Sequence, residues 1–184
     1  MSELEYNNPR FKIRLYDWDL FVGPQAGQPA PNFEVTDLVS GTPVRLPDFK
    51  GQWVVIEAGS STCSMYTKNI PGMAELRGAH PDVRFLVVYV REAHPGERLR
   101  QHKNFDEKLA AAKLLKPKYD ENRQILVDSH DGGFHRMYGM KPKLIYVIRP
   151  DGGVHYRCDC SFIWYFDNSG ICLLYTSPSP RDRG

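Results

Sequence analysis

Two apolar runs, Trp53-Val54-Val55-Ile56-Glu57-Ala58 and Val83-Arg84-Phe85-Leu86-Val87-Val88-Tyr89-Val90, constrain the fold of this chain more than any other feature. Neither alternates apolar with polar residues along its length, so each suits a strand buried on both faces. Between them lie a Gly/Ser/Thr-rich turn, Gly59 to Thr67, and a helical stretch with Ile70, Met73, Ala74 and Leu76 on one face. Pro71 is expected to kink or restart that helix, because it lacks an N–H.

The flanking segments extend this pattern. Residues 1–28 are irregular and aromatic-rich, with Phe11, Tyr16, Trp18 and Phe21, and read as an extension laid over the domain. Phe33-Glu34-Val35-Thr36 and Pro43-Val44-Arg45-Leu46, joined by Ser40-Gly41-Thr42, read as a hairpin. An amphipathic helix is expected from Phe105 to Leu115, closed by Pro117. Gln124 to Asp128 is a third inner strand, and His130 to Tyr138 a short helix. Lys143 to Arg149 and Gly153 to Arg157 form a closing hairpin through Pro150-Asp151-Gly152-Gly153. The order predicts an α/β sandwich around a mixed sheet, in one domain over residues 29–171.

The totals exclude some functions. A formal charge of +2, with no dense Lys/Arg run, gives no electrostatic reason to expect nucleic acid or an anionic membrane as partner. Met1 to Asp19 is too polar for a signal peptide, and no stretch approaches the roughly 20 apolar residues that span a bilayer. The expectation is a cytoplasmic protein, in which four cysteines do not form a disulfide framework. Residues 172–184, with Cys172-Leu173-Leu174-Tyr175-Thr176-Ser177-Pro178-Ser179-Pro180-Arg181-Asp182, resemble a translated sequencing-library adapter and are set aside from fold reasoning, as residues beyond about 157 are treated with reserve.

Cys63 carries the chemistry. It follows a buried strand and opens a helix, in Gly59-Ser60-Ser61-Thr62-Cys63-Ser64-Met65. Backbone N–H groups and the positive end of the helix dipole favour a thiolate there, which predicts a lowered thiol pKa. The Ser60 and Thr62 hydroxyls are placed to donate further hydrogen bonds to a sulfur anion or a bound oxyanion. The alternative is a buried, inert cysteine filling a small gap.

From Pro31-Asn32-Phe33 to Phe49-Lys50-Gly51 the chain resembles the opening of the alkyl hydroperoxide reductase/thiol-specific antioxidant (peroxiredoxin-like) superfamily. Within it, Gly59-Ser60-Ser61-Thr62-Cys63-Ser64-Met65 is similar to the motif of the deiodinases, in which selenocysteine or cysteine holds the position of Cys63. Phe85 to Val90 running into Arg91-Glu92-Ala93-His94-Pro95-Gly96-Glu97, the helix from His102 to Leu115, Val127-Asp128, and Tyr138 to Ile148 extend the likeness over residues 29–157. The chain therefore resembles the bacterial deiodinase-like branch of that superfamily. The resemblance implies a thioredoxin-like three-layer sandwich with an N-terminal β-hairpin, and a thiol oxidoreductase. It places His94 and His102 at the two active-site histidines, where imidazole can move a proton near neutral pH. Glu92, at the same strand end, is placed to orient or charge-couple to one of them. Pro142 resembles the cis-proline that packs against the catalytic cysteine in thioredoxin folds. His80, His130, His135 and His155 are expected to be structural or solvated.

The departures matter too. Ser61 stands where many deiodinases have a second cysteine, and Ser64 replaces the common proline. Three functions remain in view. The first is a reductive enzyme whose Cys63 thiolate attacks a halogen or a peroxide oxygen, needing no cofactor or metal. Its partners are a small-molecule electrophile and a thiol reductant such as thioredoxin or a low-molecular-weight thiol. The second is a peroxiredoxin-type peroxidase, with Ser60 three residues before Cys63 but Ile56 where a proline is expected. The third is a thioredoxin-fold binding module without turnover. A homodimer is compatible with each. Tyr66 and Thr67 occupy the positions where a disulfide oxidoreductase or a copper chaperone needs its second cysteine. Cys158-Asp159-Cys160 is read as incidental rather than as a metal or resolving pair.

Overall fold

In the computed structural model, residues 6–12, 21–96 and 99–159 are described. Seven strands form one mixed sheet: β1 (Glu34–Asp37), β2 (Pro43–Arg45), β3 (Val54–Gly59), β4 (Arg84–Tyr89), β5 (Gln124–Val127), β6 (Leu144–Ile148) and β7 (Val154–Asp159). Their order across the sheet is β2-β1-β5-β4-β3-β6-β7. The β3–β4 and β4–β5 pairs are parallel, and the remaining pairs are antiparallel. The two apolar runs are thus adjacent central strands, which is why neither has a polar face.

Side-chain alternation along those strands sorts the core into two sides. Val54, Ile56 and Ala58, with Leu86, Val88 and Val90, point to one face and pack with Phe33, Phe49, Phe134 and Tyr138. Val55, Phe85, Val87 and Tyr89 point to the other, under α1 (Ser64–Ala79), α2 (Phe105–Lys113) and α3 (Leu115–Tyr119). The first face is covered by α4 (Gly133–Met137), which gives the three layers.

Proline does less to the helices than expected. α1 runs unbroken from Ser64 to Ala79 with Pro71 inside it. Its Ile70, Met73 and Leu76 are buried against the sheet, so packing of that face outweighs one missing hydrogen bond. Pro117 does not close a helix either, because it lies in the first turn of α3, where no intrahelical N–H is needed.

Another correction concerns Pro142. It is buried just before β6, but every described peptide bond is trans, the one before Pro142 included. The chain enters β6 through Gly139 and Met140, whose φ values are +108° and +54°.

One close approach fixes the head of α1. A Cβ on Gly59, the last residue of β3, would stand 2.3 Å from Cγ of Tyr66. Glycine therefore lets the first turn of α1 descend onto the strand end, with Cys63 at its N-terminus.

Candidate active site

Cys63 is the N-cap of α1, in extended backbone conformation (φ −85°, ψ 102°). Its N–H donates to the Ser60 carbonyl at 3.1 Å, and its own carbonyl accepts from Thr67 N–H at 3.0 Å. A tight turn thus hands the chain straight from strand to helix. The thiol is 1% exposed. Burial pushes its pKa up to about 11, while the backbone N–H groups of Met65 and Tyr66 and the Lys143 ammonium pull the other way, and Glu57 adds to the rise. The helix N-terminus favours the thiolate as expected, but in this closed arrangement desolvation wins. The expected low-pKa thiol is therefore corrected: here it is protonated at neutral pH.

Glu92, just beyond β4, organises what surrounds it. Its Oε2 accepts from the Thr62 N–H at 2.9 Å and the Thr62 hydroxyl at 2.6 Å. Its Oε1 accepts from the Tyr89 hydroxyl and from His102 Nε2, the latter at 3.2 Å. Burial opposes the charge, yet the hydrogen bonds from His102, Thr62 and Tyr89 hold the carboxyl below its usual range. An ionised Glu92 only accepts, so Nε2 of His102 carries a proton. The other nitrogen, Nδ1, is buried without a hydrogen-bond partner.

Ser60 and Thr62 are both in the cluster, but they do not serve the sulfur. Ser60 Oγ accepts from Ala93 N–H at 3.1 Å, and Thr62 Oγ1 accepts from His94 N–H at 3.0 Å while donating to Glu92. The hydroxyls instead lace the Cys63 turn to the 92–94 strand end, because both backbones meet there without ladder partners of their own. His94 is half-buried, and its ring lies against Phe11 with centroids 4.5 Å apart. Five of the residues singled out in the sequence therefore join Cys63 in one assembly: Ser60, Thr62, Glu92, His94 and His102.

Sequence reasoning missed three participants. Tyr89 was assigned only to a buried strand, although a buried tyrosine hydroxyl needs a partner and so signals a polar site. Gln101 accepts the Glu92 N–H through Oε1 at 3.0 Å. Phe11 comes from the N-terminal segment, which is tethered where Arg91 donates to the Tyr6 carbonyl and Asn7 to the His130 carbonyl.

Of the remaining histidines, His130 lies beside His102, its Nε2 3.1 Å from the His102 carbonyl, and the other three lie elsewhere. His155 packs against Trp53, and His80 follows the end of α1. His135 is buried, with Tyr6 OH 2.8 Å from Nδ1 and the Lys141 carbonyl 2.8 Å from Nε2. It is thus held neutral, with Nε2–H donating. Burial foremost, then the Arg91 charge, pushes it down to about 3. Its folded pKa lies below the unfolded value of about 6.5, so stability is complete above pH 6.5 and falls as pH drops towards 3. Urea unfolding is expected to show a loss of about 1 kcal/mol per pH unit between pH 6 and 5, above the carboxylate range. A His135→Gln variant, which keeps a donor for Lys141, should flatten that slope; an unchanged slope would assign it to other groups.

Cys158 on β7 is half-buried, whereas Cys160 and Cys172 lie outside the described residues, as does the 172–184 tail. Among the described residues no cluster of three His, Cys, Asp or Glu side chains could hold a metal ion. No described helix is long and apolar enough to cross a membrane.

Comparison with known proteins bears on what such an assembly is. The iodothyronine deiodinase profile matches residues 7–165. The chain belongs to the iodothyronine deiodinase family. Among relatives, it is 28% identical to the thyroxine 5-deiodinase of Gallus gallus over 145 residues, covering 72% of this chain and 56% of that one. It is 25% identical to the type II iodothyronine deiodinase of Bos taurus, covering 68% and 53%. The chain thus spans about half the length of these relatives. Its fold is thioredoxin-like. A pneumococcal exposed lipoprotein thioredoxin from Streptococcus pneumoniae superposes with a TM-score of 0.57 at 22% identity, covering 79% of this chain and 98% of that one. A secreted Mycobacterium tuberculosis disulfide oxidoreductase gives 0.58 at 19%, covering 77% and 92%.

Proposed function

We infer that this member of the family is a thiol-dependent oxidoreductase in which Cys63 reduces an electrophile, either a halogenated aromatic or a peroxide. The observation that carries the reading is the Thr62–Glu92–His102 connection. An ionised, buried carboxylate is hydrogen-bonded both to an imidazole and to the residue beside a thiol at the head of a helix. Burying a charge in this way is costly unless it is fully paired, and a merely structural turn does not require it.

The chemistry balances without a cofactor. In dehalogenation the thiolate gives an electron pair to the halogen and the carbon–halogen bond breaks. The aryl carbon keeps that bonding pair and takes a proton, supplied by His94. An external thiol then attacks the sulfur–halogen bond, releasing halide and leaving a mixed disulfide. A second thiol frees Cys63 and carries away the disulfide. With a hydroperoxide, the thiolate takes the terminal oxygen to become a sulfenic acid and the alcohol leaves with a proton; the same thiols then reduce the sulfur. His94 is the proton donor in either case, and Glu92 and His102 are positioning residues joined to it through Thr62. Reaction begins with opening, since water or ligand at the sulfur removes part of the desolvation that keeps the thiol protonated. The reductant is a thioredoxin or a low-molecular-weight thiol, and the chemistry suits a cytoplasmic setting.

The burial of Cys63 favours one other reading, a binding module with an inert thiol. Reduced protein treated with hydrogen peroxide, and separately with an aryl iodide plus thiol, distinguishes them. Cys63 is expected to form sulfenic acid at least about 10-fold faster than Cys158, or to release iodide, with Cys63→Ser inactive in both assays. Oxidation no faster than that of a free thiol, together with no halide release, would leave the binding module.

A further inference from the structure

We propose that the cleft between the N-terminal segment and the loop leading into α2 binds the carboxylate of a small molecule taking part in the Cys63 cycle. The cleft encloses about 690 Å³ and is lined by Asn7, Arg10, Arg100, His102, Lys103 and His130 among others. That size suits a small-molecule ligand. Its described lining residues bring three cations, Arg10, Arg100 and Lys103, and no carboxylate. All three cationic residues are exposed, so their heads stand at the mouth, whereas His102 is 4% exposed.

His102 supplies the independent sign of a ligand. Its Nε2 is committed to Glu92, while its Nδ1 is buried with no partner. A buried ring nitrogen left unsatisfied costs stability, so a native site that retains one has a use for it. A carboxylate entering between the arginines reaches the ring whose Nδ1 is left unpartnered, and accepts from that nitrogen as an N–H donor. Arginine also offers two parallel N–H donors to a carboxylate, which fixes the ligand's orientation as well as its charge.

The cleft and the thiol are joined through one group. The Glu92 carboxylate that receives His102 Nε2 also receives Thr62, the residue before Cys63. A ligand that engages His102 therefore bears on the hydrogen bonding behind the thiol turn. The cleft's purpose rests on the Cys63 reading, but the binding itself does not. The carboxylate could arrive on either of two molecules, the electrophile or the thiol that restores Cys63.

Calorimetric titration of the full chain carrying Cys63→Ser separates binding from chemistry. The probes are 4-iodophenylacetate against its methyl ester, and reduced glutathione against its diethyl ester. At least one free acid is expected to bind about 10-fold tighter than its ester, to weaken as salt is raised, and to lose that preference in Arg100→Gln/Lys103→Gln. Preference for 4-iodophenylacetate alone assigns the cleft to the electrophile, for glutathione alone to the reductant, and for both to a shared carboxylate subsite. No acid preferred over its ester, or a preference unchanged in the double variant, would overturn the proposal. Cys63 sulfenylation of the parent protein, scored separately, shows whether the thiol reading stands when the cleft proposal falls.

Discussion

Replacing Arg123 by methionine is expected to cost about 3–5 kcal/mol of folding free energy, since it leaves the buried Glu121 carboxylate without its cation and Glu57 with Lys143 alone, 3.5 Å away. Arg123 Nε and Nη2 form a two-pronged pair with Glu121 at 2.8 and 2.6 Å, and Nη1 donates to Glu57 at 2.7 Å. Glu57 and Arg123 lie at the sheet, on β3 and just before β5, and both are buried. Burial works against the guanidinium charge, but the Glu57 and Glu121 carboxylates hold it firmly protonated. Tyr66 in α1 donates to Glu121 at 2.8 Å, and Asn69 to Glu57 at 2.9 Å, so the network also clamps the helix that Cys63 begins. Urea denaturation of Arg123→Met measures the cost directly. Adding Glu121→Gln removes the stranded charge, while Glu57 keeps Lys143, and should recover most of it. A single-variant loss below about 1 kcal/mol would mean that water relieves these carboxylates and that the network is not sealed.

The second large effect is kinetic. Glu92→Gln is expected to slow peroxide oxidation of Cys63, or iodide release, about 100-fold or more, the range over which misplaced proton-transfer groups act. Glutamine has nearly the same shape, but its amide must turn an N–H towards one of the groups now donating to Glu92. His102, Tyr89 or Thr62 therefore loses its acceptor. Glu92 does not touch the sulfur in this arrangement, so its effect should show as a changed pH–rate profile rather than a uniform loss. A rate that falls with an unaltered profile, in step with lost stability, would reduce Glu92 to scaffolding.

These effects depend on groups that the sequence exposed unequally. The strand–turn–helix around Cys63 was legible because apolar runs, glycine and a helix start are local signals, each set by neighbours in the chain. Glu92 was legible from its place at a strand end, and His102 only through the resemblance to the deiodinase motifs. The hairpin of β1 and β2 and that of β6 and β7 were equally plain from turn residues. The cis-proline that the resemblance implied at Pro142 is instead a trans residue, a property of one peptide bond that residue type alone does not record.

By itself the sequence determined the central strands, the helix that begins at Cys63, and which residues are able to do redox and proton chemistry, since periodicity and residue type are properties of the chain alone. Only the tertiary structure decided the state of the thiol. A helix N-terminus lowers its pKa and burial raises it, and the balance depends on how much water the packed chain excludes. Tertiary packing likewise turned Ser60 and Thr62 from donors to sulfur into ties between two loops, and set Phe11 against His94 from 83 residues away along the chain. Partners that distant are chosen by how the layers pack, and nothing in either segment records the choice.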